Sequence, residues 1–196
     1  MGSGGLIEIK RRLKSVQSTK KITNAMGLVA TSKLRKCRRA LSDSNEYMEI
    51  SKKNMELLAS VPSEDLDIPY FKENKSEQKL YIIIASDSGL CAGYNANTVA
   101  YLENITKEDK SDVKVMIVGA KGISYVKRAG FNSIAEYVDI PEIPTVKEVK
   151  VIYNEALRMF EDGEVSEVNI VYTKFTSPVK QDVTVERLLP VECDLD

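Results

Sequence analysis

No proline interrupts the chain from Leu6 to Ala59, and Gly27 is the only glycine in those 54 residues. As one α-helix the stretch is about 80 Å long at 1.5 Å per residue. A domain built from the other residues is too small to bury such a rod along its length, so part of the rod must lie against something else. A heptad register runs through it. Its a positions are Leu6, Leu13, Lys20, Gly27, Leu34, Leu41, Met48 and Met55, and its d positions are Ile9, Val16, Thr23, Ala30, Cys37, Ser44, Ser51 and Leu58. Both ends of this seam are apolar and its middle is small or polar, which predicts a coiled-coil helix over 6–59. Ile22, Met26 and Val29 form a second apolar stripe off the seam. Two readings account for it: a locally misaligned core face, or a helix enclosed by protein on several sides. Gly27 in mid-helix costs about 1 kcal/mol relative to alanine, which close approach of another chain explains better than helix propensity.

Charge divides the chain. Residues 1–40 hold eleven Lys/Arg against Glu8 alone, a net +10, whereas the remainder holds 17 Lys/Arg against 28 Asp/Glu, a net −11. Seven of the positive charges lie between Lys20 and Arg39, with no acid among them. Such an arm meets an acidic or phosphate-rich partner. Lysine and arginine are mixed there with Met, Leu and Val on several faces and with no aromatic residue, so docking against protein fits better than entry into a nucleic-acid groove.

The sequence contains no histidine. Ser-His-Asp and Cys-His catalysis, histidine metal ligation and histidine pH switching are therefore excluded. The three cysteines, Cys37, Cys91 and Cys193, are odd in number and far apart, which argues against a disulfide framework or a structural zinc site and for a reducing compartment. No apolar run approaches the roughly 18 residues of a membrane span, and the start, MGSGGLIEIKRR, lacks the apolar core of a signal peptide.

After Ser60 the period breaks. VPSEDLDIPYFKENKSEQ is rich in charge and proline, which predicts a linker over 60–78. From Lys79 to about residue 192 the pattern is α/β. KLYIIIA (79–85), VKVMIVG (113–119) and VNIVYT (168–173) read as strands, the first two continuous enough to be buried on both faces. Residues 133–138 and 182–188 are weaker strand candidates. Helical patterns cover roughly 91–105, 121–129 and 145–162, and the alternation predicts a mostly parallel, Rossmann-like sheet with helices on both faces.

Two strand–glycine–helix junctions, 86–97 and 118–124, resemble places where backbone N–H groups hold phosphate. Neither matches GxGxxG or GxxxxGK[ST], and turning the chain is the simpler role for their glycines. Asp87 is expected to cap the helix that follows it. Cys91 has no histidine or resolving cysteine to make it catalytic. A nucleotide-binding α/β protein with a basic helical arm stays open as an alternative at this level, as does a basic coiled-coil nucleic-acid binder.

Longer motifs narrow the choice. IKRRLKSVQSTKKITNAMGLVATSKLRKCRRAL (9–41) closely resembles the N-terminal helix of the gamma subunits of bacterial-type F1 ATP synthases. SDSGLCAGYN (86–95) is similar to that family's SDRGLCGGFN loop, with Ser88 for Arg and Ala92 for Gly, and VGAKGISYVKRAGFN (118–132) and VTVERLLPV (183–191) resemble later family segments. The resemblance implies a non-catalytic rotor shaft without catalytic, cofactor or metal residues. Its partners would be the alpha and beta subunits, the epsilon subunit and the membrane c-ring, with no nucleic acid. Its place would be the cytoplasmic face of the bacterial plasma membrane, as a peripheral protein. By the same resemblance Met26, Lys33, Arg35 and Lys36 face beta-subunit loops, and the seam Leu6, Ile9, Leu13, Val16, Leu34, Leu41, Met48, Met55 packs on a second, C-terminal shaft helix. Family members carry that helix beyond the point matched by Asp196, so the chain is expected to be a fragment of the shaft.

Overall fold

The computed structural model describes residues 3–59, 68–106 and 110–191. Of the linker expected over 60–78, the part 60–67 lies outside the described residues. The chain divides into two units, Met1–Lys52 and Lys53–Asp196.

The described residues of the first unit belong to one helix, which continues into the second. Helix α1 runs Ser3–Ala59, 57 residues without a break, as the absence of proline requires. Most of its large apolar side chains are exposed: Val16 is 66% exposed and Leu28 74%. The hydroxyls of Thr19, Thr23, Thr31 and Ser44 fold back to carbonyls one turn earlier, Thr31 Oγ1 donating to the Gly27 carbonyl at 2.8 Å. These bonds keep polar side chains close to the helix surface.

The second unit is a five-stranded sheet in the order β3-β2-β1-β4-β5. The strands are β1 Lys79–Ile84, β2 Val113–Val118, β3 Asn132–Tyr137, β4 Glu167–Ser177 and β5 Lys180–Leu189. β1 pairs parallel with β2 and β4, β2 pairs parallel with β3, and β5 runs antiparallel to β4. Three helices complete it: α2 Tyr94–Ile105, α3 Ala120–Arg128 and α4 Val146–Glu161. α4 begins at a capping box in which Lys147 N–H donates to Thr145 Oγ1 at 3.3 Å and Thr145 N–H to Glu148 Oε2 at 2.7 Å.

Alternation along β1 sorts its side chains into two cores, because successive residues of a strand point to opposite faces. Tyr81 and Ile83 join Val115, Ile117, Val99, Leu102 and Val126 under α2 and α3. Leu80 and Ile82 join Met116, Val118, Met159 and Phe160 under α4. Leu102 is fully buried, and its truncation to alanine costs about 2–5 kcal/mol.

The described part of the expected linker is tied down. A 3-10 turn at Pro69–Phe71 leads to Asn74, whose amide donates to the Val165 carbonyl at 2.7 Å. Tyr70 O–H donates to Glu161 Oε1 at 2.7 Å, and the Tyr70 carbonyl accepts from Val191 N–H at 2.8 Å.

Candidate interaction surface

The four residues expected to face beta-subunit loops are exposed, but not in one direction. Met26 and Lys33 are seven apart, two helical turns, and share a face, while Lys36 lies one turn beyond Lys33. Arg35, nine residues from Met26, projects from the opposite side. All four are exposed. Ile22 and Val29 extend the stripe of Met26, the seam residues lie beside it, and Leu28 shares the back with Arg35 and Arg39. This stretch therefore offers apolar and cationic groups around most of its circumference. A groove that covers one face leaves half of these groups in water; a partner that surrounds the helix covers all of them.

Gly27 sits in the middle of this surface. A Cβ added there meets no atom of the described residues within 4 Å, so none of them requires a glycine. The seam residues Thr23, Gly27 and Ala30 form a shallow strip along which another helix can approach closely.

In the α/β unit the strand–glycine–helix junctions are already filled by the chain itself. At the start of α3, Gly119 has φ +106°, and a Cβ there would stand 2.4 Å from the Ala85 carbonyl oxygen. A Cβ on Gly122 would stand 2.5 Å from Ala85 Cβ and 2.7 Å from Ile117 Cδ1. Both glycines thus serve close packing, Gly119 against the chain at Ala85 just past β1 and Gly122 against Ala85 and Ile117 of β2. The N–H groups that a phosphate would need are engaged as well. Ala120 N–H donates to Asp87 Oδ1 at 2.8 Å, Lys121 N–H to the Ser86 carbonyl at 2.9 Å, and Gly119 N–H to the Tyr137 carbonyl at 2.8 Å. Asp87 occupies the position an anion takes at a helix N-terminus.

This corrects the expectation that Asp87 caps the helix following it. The N-cap of α2 is Gly93, with no side-chain bond. Asp87 instead crosses to α3 and also accepts from Asp139 N–H at 3.2 Å. The loop it anchors is bonded internally: Asn95, buried, accepts from Ser86 N–H at 3.0 Å and donates to Cys91 Sγ at 3.3 Å. Leu90 (φ 63°) and Ala92 (φ 49°) are left-handed, and Leu90 is 89% exposed. Cys91 is therefore a member of a loop network. Among the described residues no group of three His, Cys, Asp or Glu is placed to hold a metal ion, and no helix is long and apolar enough to cross a membrane.

Comparison with known proteins places the chain among relatives of one kind. A family model described as ATP synthase matches residues 5–195. The ATP synthase gamma chain of Clostridium botulinum (strain Eklund 17B / Type B) is 59% identical over 192 residues, 98% of this chain and 68% of that protein. The ATP synthase gamma chain of Clostridium beijerinckii is 48% identical over 191 residues, 97% of this chain and 68% of that one. Among solved structures, a chain of the Euglena gracilis mitochondrial ATP synthase (OSCP/F1/c-ring) aligns at a TM-score of 0.49 and 17% identity, over 79% of this chain and 56% of that one.

Proposed function

The chain belongs to the family of ATP synthase gamma chains, and from that premise we propose that it works as the central rotor shaft of F1, coupling c-ring rotation to ATP synthesis at the beta subunits. It is a non-catalytic subunit. Residues 6–59 form the shaft helix, 60–78 a connector, and 79–192 the Rossmann-like base. The shaft helix stands inside the ring of alpha and beta subunits. Met26, Lys33, Arg35 and Lys36 meet beta-subunit loops, while the seam from Leu6 to Met55 packs in a coiled coil on a second helix. The base meets epsilon and the c-ring at the cytoplasmic face of the bacterial plasma membrane, as a peripheral protein.

The observation that carries this reading is α1. It is a 57-residue helix whose large apolar residues are exposed on several sides and whose central stretch is cationic. An enclosing acidic protein surface satisfies both properties. A nucleotide site in the base has no such support, because Asp87 and two carbonyls already hold the N-terminal N–H groups of α3.

The test is binding of this chain to alpha/beta assemblies of a clostridial relative across a salt series. Binding is expected to weaken as salt screens the charges. The double variant Lys33→Glu/Lys36→Glu is expected to weaken it about tenfold at low salt and to flatten its salt dependence. No binding at low salt, or binding indifferent to the charge reversals, overturns the reading.

A further inference from the structure

The segment that leads into β1 carries a polar alternation. Asn74, Ser76 and Gln78 are half-buried, while Lys75 and Glu77 between them are exposed. Side chains of an extended chain point alternately to two sides, so one side of residues 74–78 presents an amide, a hydroxyl and a second amide to the body of the unit. All three find partners there. Asn74 Nδ2 donates to the Val165 carbonyl at 2.7 Å and to the Phe160 carbonyl at 3.4 Å, and its Oδ1 accepts from Ser76 N–H at 3.1 Å. Ser76 Oγ donates to the Glu164 carbonyl at 3.1 Å and accepts from Gln78 N–H at 3.2 Å. Gln78 Nε2 donates to the Ser111 carbonyl at 3.2 Å, and the Gln78 carbonyl accepts from Ser166 N–H at 2.8 Å.

The places of these partners give the pattern a meaning. Residues 164–166 lie between α4 and β4, and Ser111 stands just before β2. β4 and β2 are the two strands that flank β1. The connector is thus fastened to the entry points of both neighbours of the strand it leads into. β1 is the middle strand of the sheet and supplies side chains to both cores, Ile83 to one and Leu80 to the other, each fully buried. Drawing it out from Lys79 would open both. The covalent path from α1 to β1 runs through residues 60–78, so a pull or twist of the helix that travels along the chain meets the bonds of Asn74, Ser76 and Gln78 before it reaches Lys79.

We propose that residues 74–78 are a mechanical anchor, in which Asn74 is the central positioning residue. The anchor takes the load arriving from α1 and passes it to the turns before β2 and β4, so that β1 is not drawn out of the sheet. The purpose of such an anchor rests on the rotor reading, because a rotor shaft loads its connector. Its test does not: it uses the 196-residue chain alone, so a failure of the anchor and a failure of docking to alpha and beta subunits are told apart.

The experiment unfolds the chain in an optical trap in two geometries. One handle is always held at the exposed β4–β5 turn, at Val179. The other is at the N-terminus, which loads the connector, or at the C-terminus, which draws on β5. Asn74→Ala is expected to speed unfolding at a fixed force about tenfold when the N-terminus is pulled, and less than twofold when the C-terminus is pulled, because bonds still intact in the transition state do not alter the unfolding rate. Ser76→Ala, the milder change, is expected to act in the same geometry by about threefold. Equal acceleration in both geometries would mean that these side chains stabilise the fold without anchoring the connector, and overturns the proposal. So does an unfolding rate that neither variant changes when the N-terminus is pulled.

Discussion

Ala92 occupies a backbone conformation suited to glycine. Its φ of 49° is left-handed, where a Cβ costs about 1–2 kcal/mol. The family motif that this loop resembles has glycine at that position, so the departure has a conformational price that Ala92→Gly should remove. Part of the gain is lost because glycine loosens the unfolded chain. The expected outcome is a stabilisation of about 0.5–1 kcal/mol, read as a higher denaturant midpoint of the α/β unit. Asp87 poses the opposite case. Its carboxylate accepts from Ala120 N–H and Asp139 N–H, and Asp87→Ala leaves both donors without it. A loss of about 1–2 kcal/mol is expected, with Asp87→Asn recovering most of it because an amide oxygen still accepts. No loss in Asp87→Ala would show that the bonds contribute nothing, and equal losses for the two variants would show that the charge and not the acceptor oxygen carries the effect. The sequence displayed Asp87 as a carboxylate after a strand, but its partners are 33 and 52 residues away. No local pattern reports such a bond, and so the neighbouring helix seemed its target.

At the scale of elements, legibility followed burial. β1 and β2 are covered on both faces and appear as unbroken apolar runs; their observed spans, Lys79–Ile84 and Val113–Val118, fall within the expected ones. β3 and β5 are outer strands with alternating exposure, so their signal was weaker. α2 begins at Tyr94, three residues later than the pattern at 91–105 suggested, because left-handed Leu90 and Ala92 hold the chain in a turn first. β4 outruns its apolar core VNIVYT to reach Ser177, its outer half pairing with β5. That ribbon carries a pH-dependent bond. Tyr172 O–H donates to Glu186 Oε1 at 2.7 Å, and burial first, then this bond and the glutamate's charge, push the tyrosine up to about 12. The folded value exceeds the ordinary one near 10. The stabilisation is therefore complete below about pH 10 and disappears as the pH climbs through the folded value. Phenolate absorbance should show Tyr172 ionising above the ordinary tyrosine value, and Glu186→Gln should bring its ionisation to lower pH. An unchanged titration in that variant would assign the whole shift to burial.

For the molecule as a whole, the decisive property is that α1 leaves most of its large apolar residues exposed. Its exposed seam and second stripe were readable from the sequence, because helical periodicity needs no tertiary knowledge. What covers them was not readable, because periodicity names a face and not its partner. Gly27 converts this into a measurement with two signs. Among the described residues nothing stands within 4 Å of a Cβ at that position, and glycine in a helix interior costs about 1 kcal/mol relative to alanine. Gly27→Ala should therefore raise the helicity and thermal stability of α1 in the isolated chain. If Gly27 exists so that a second helix or an enclosing subunit can approach the backbone, the same substitution should weaken assembly with alpha/beta complexes, and Gly27→Leu should weaken it further while leaving the isolated helix as stable as the alanine variant. Circular dichroism on the chain and binding to the complex are read side by side. Opposite signs place the need for glycine in the assembly. A stabilised helix that also assembles undiminished, for both variants, would mean that no neighbour comes close to Gly27, and that the shaft is held by its cationic and apolar stripes alone.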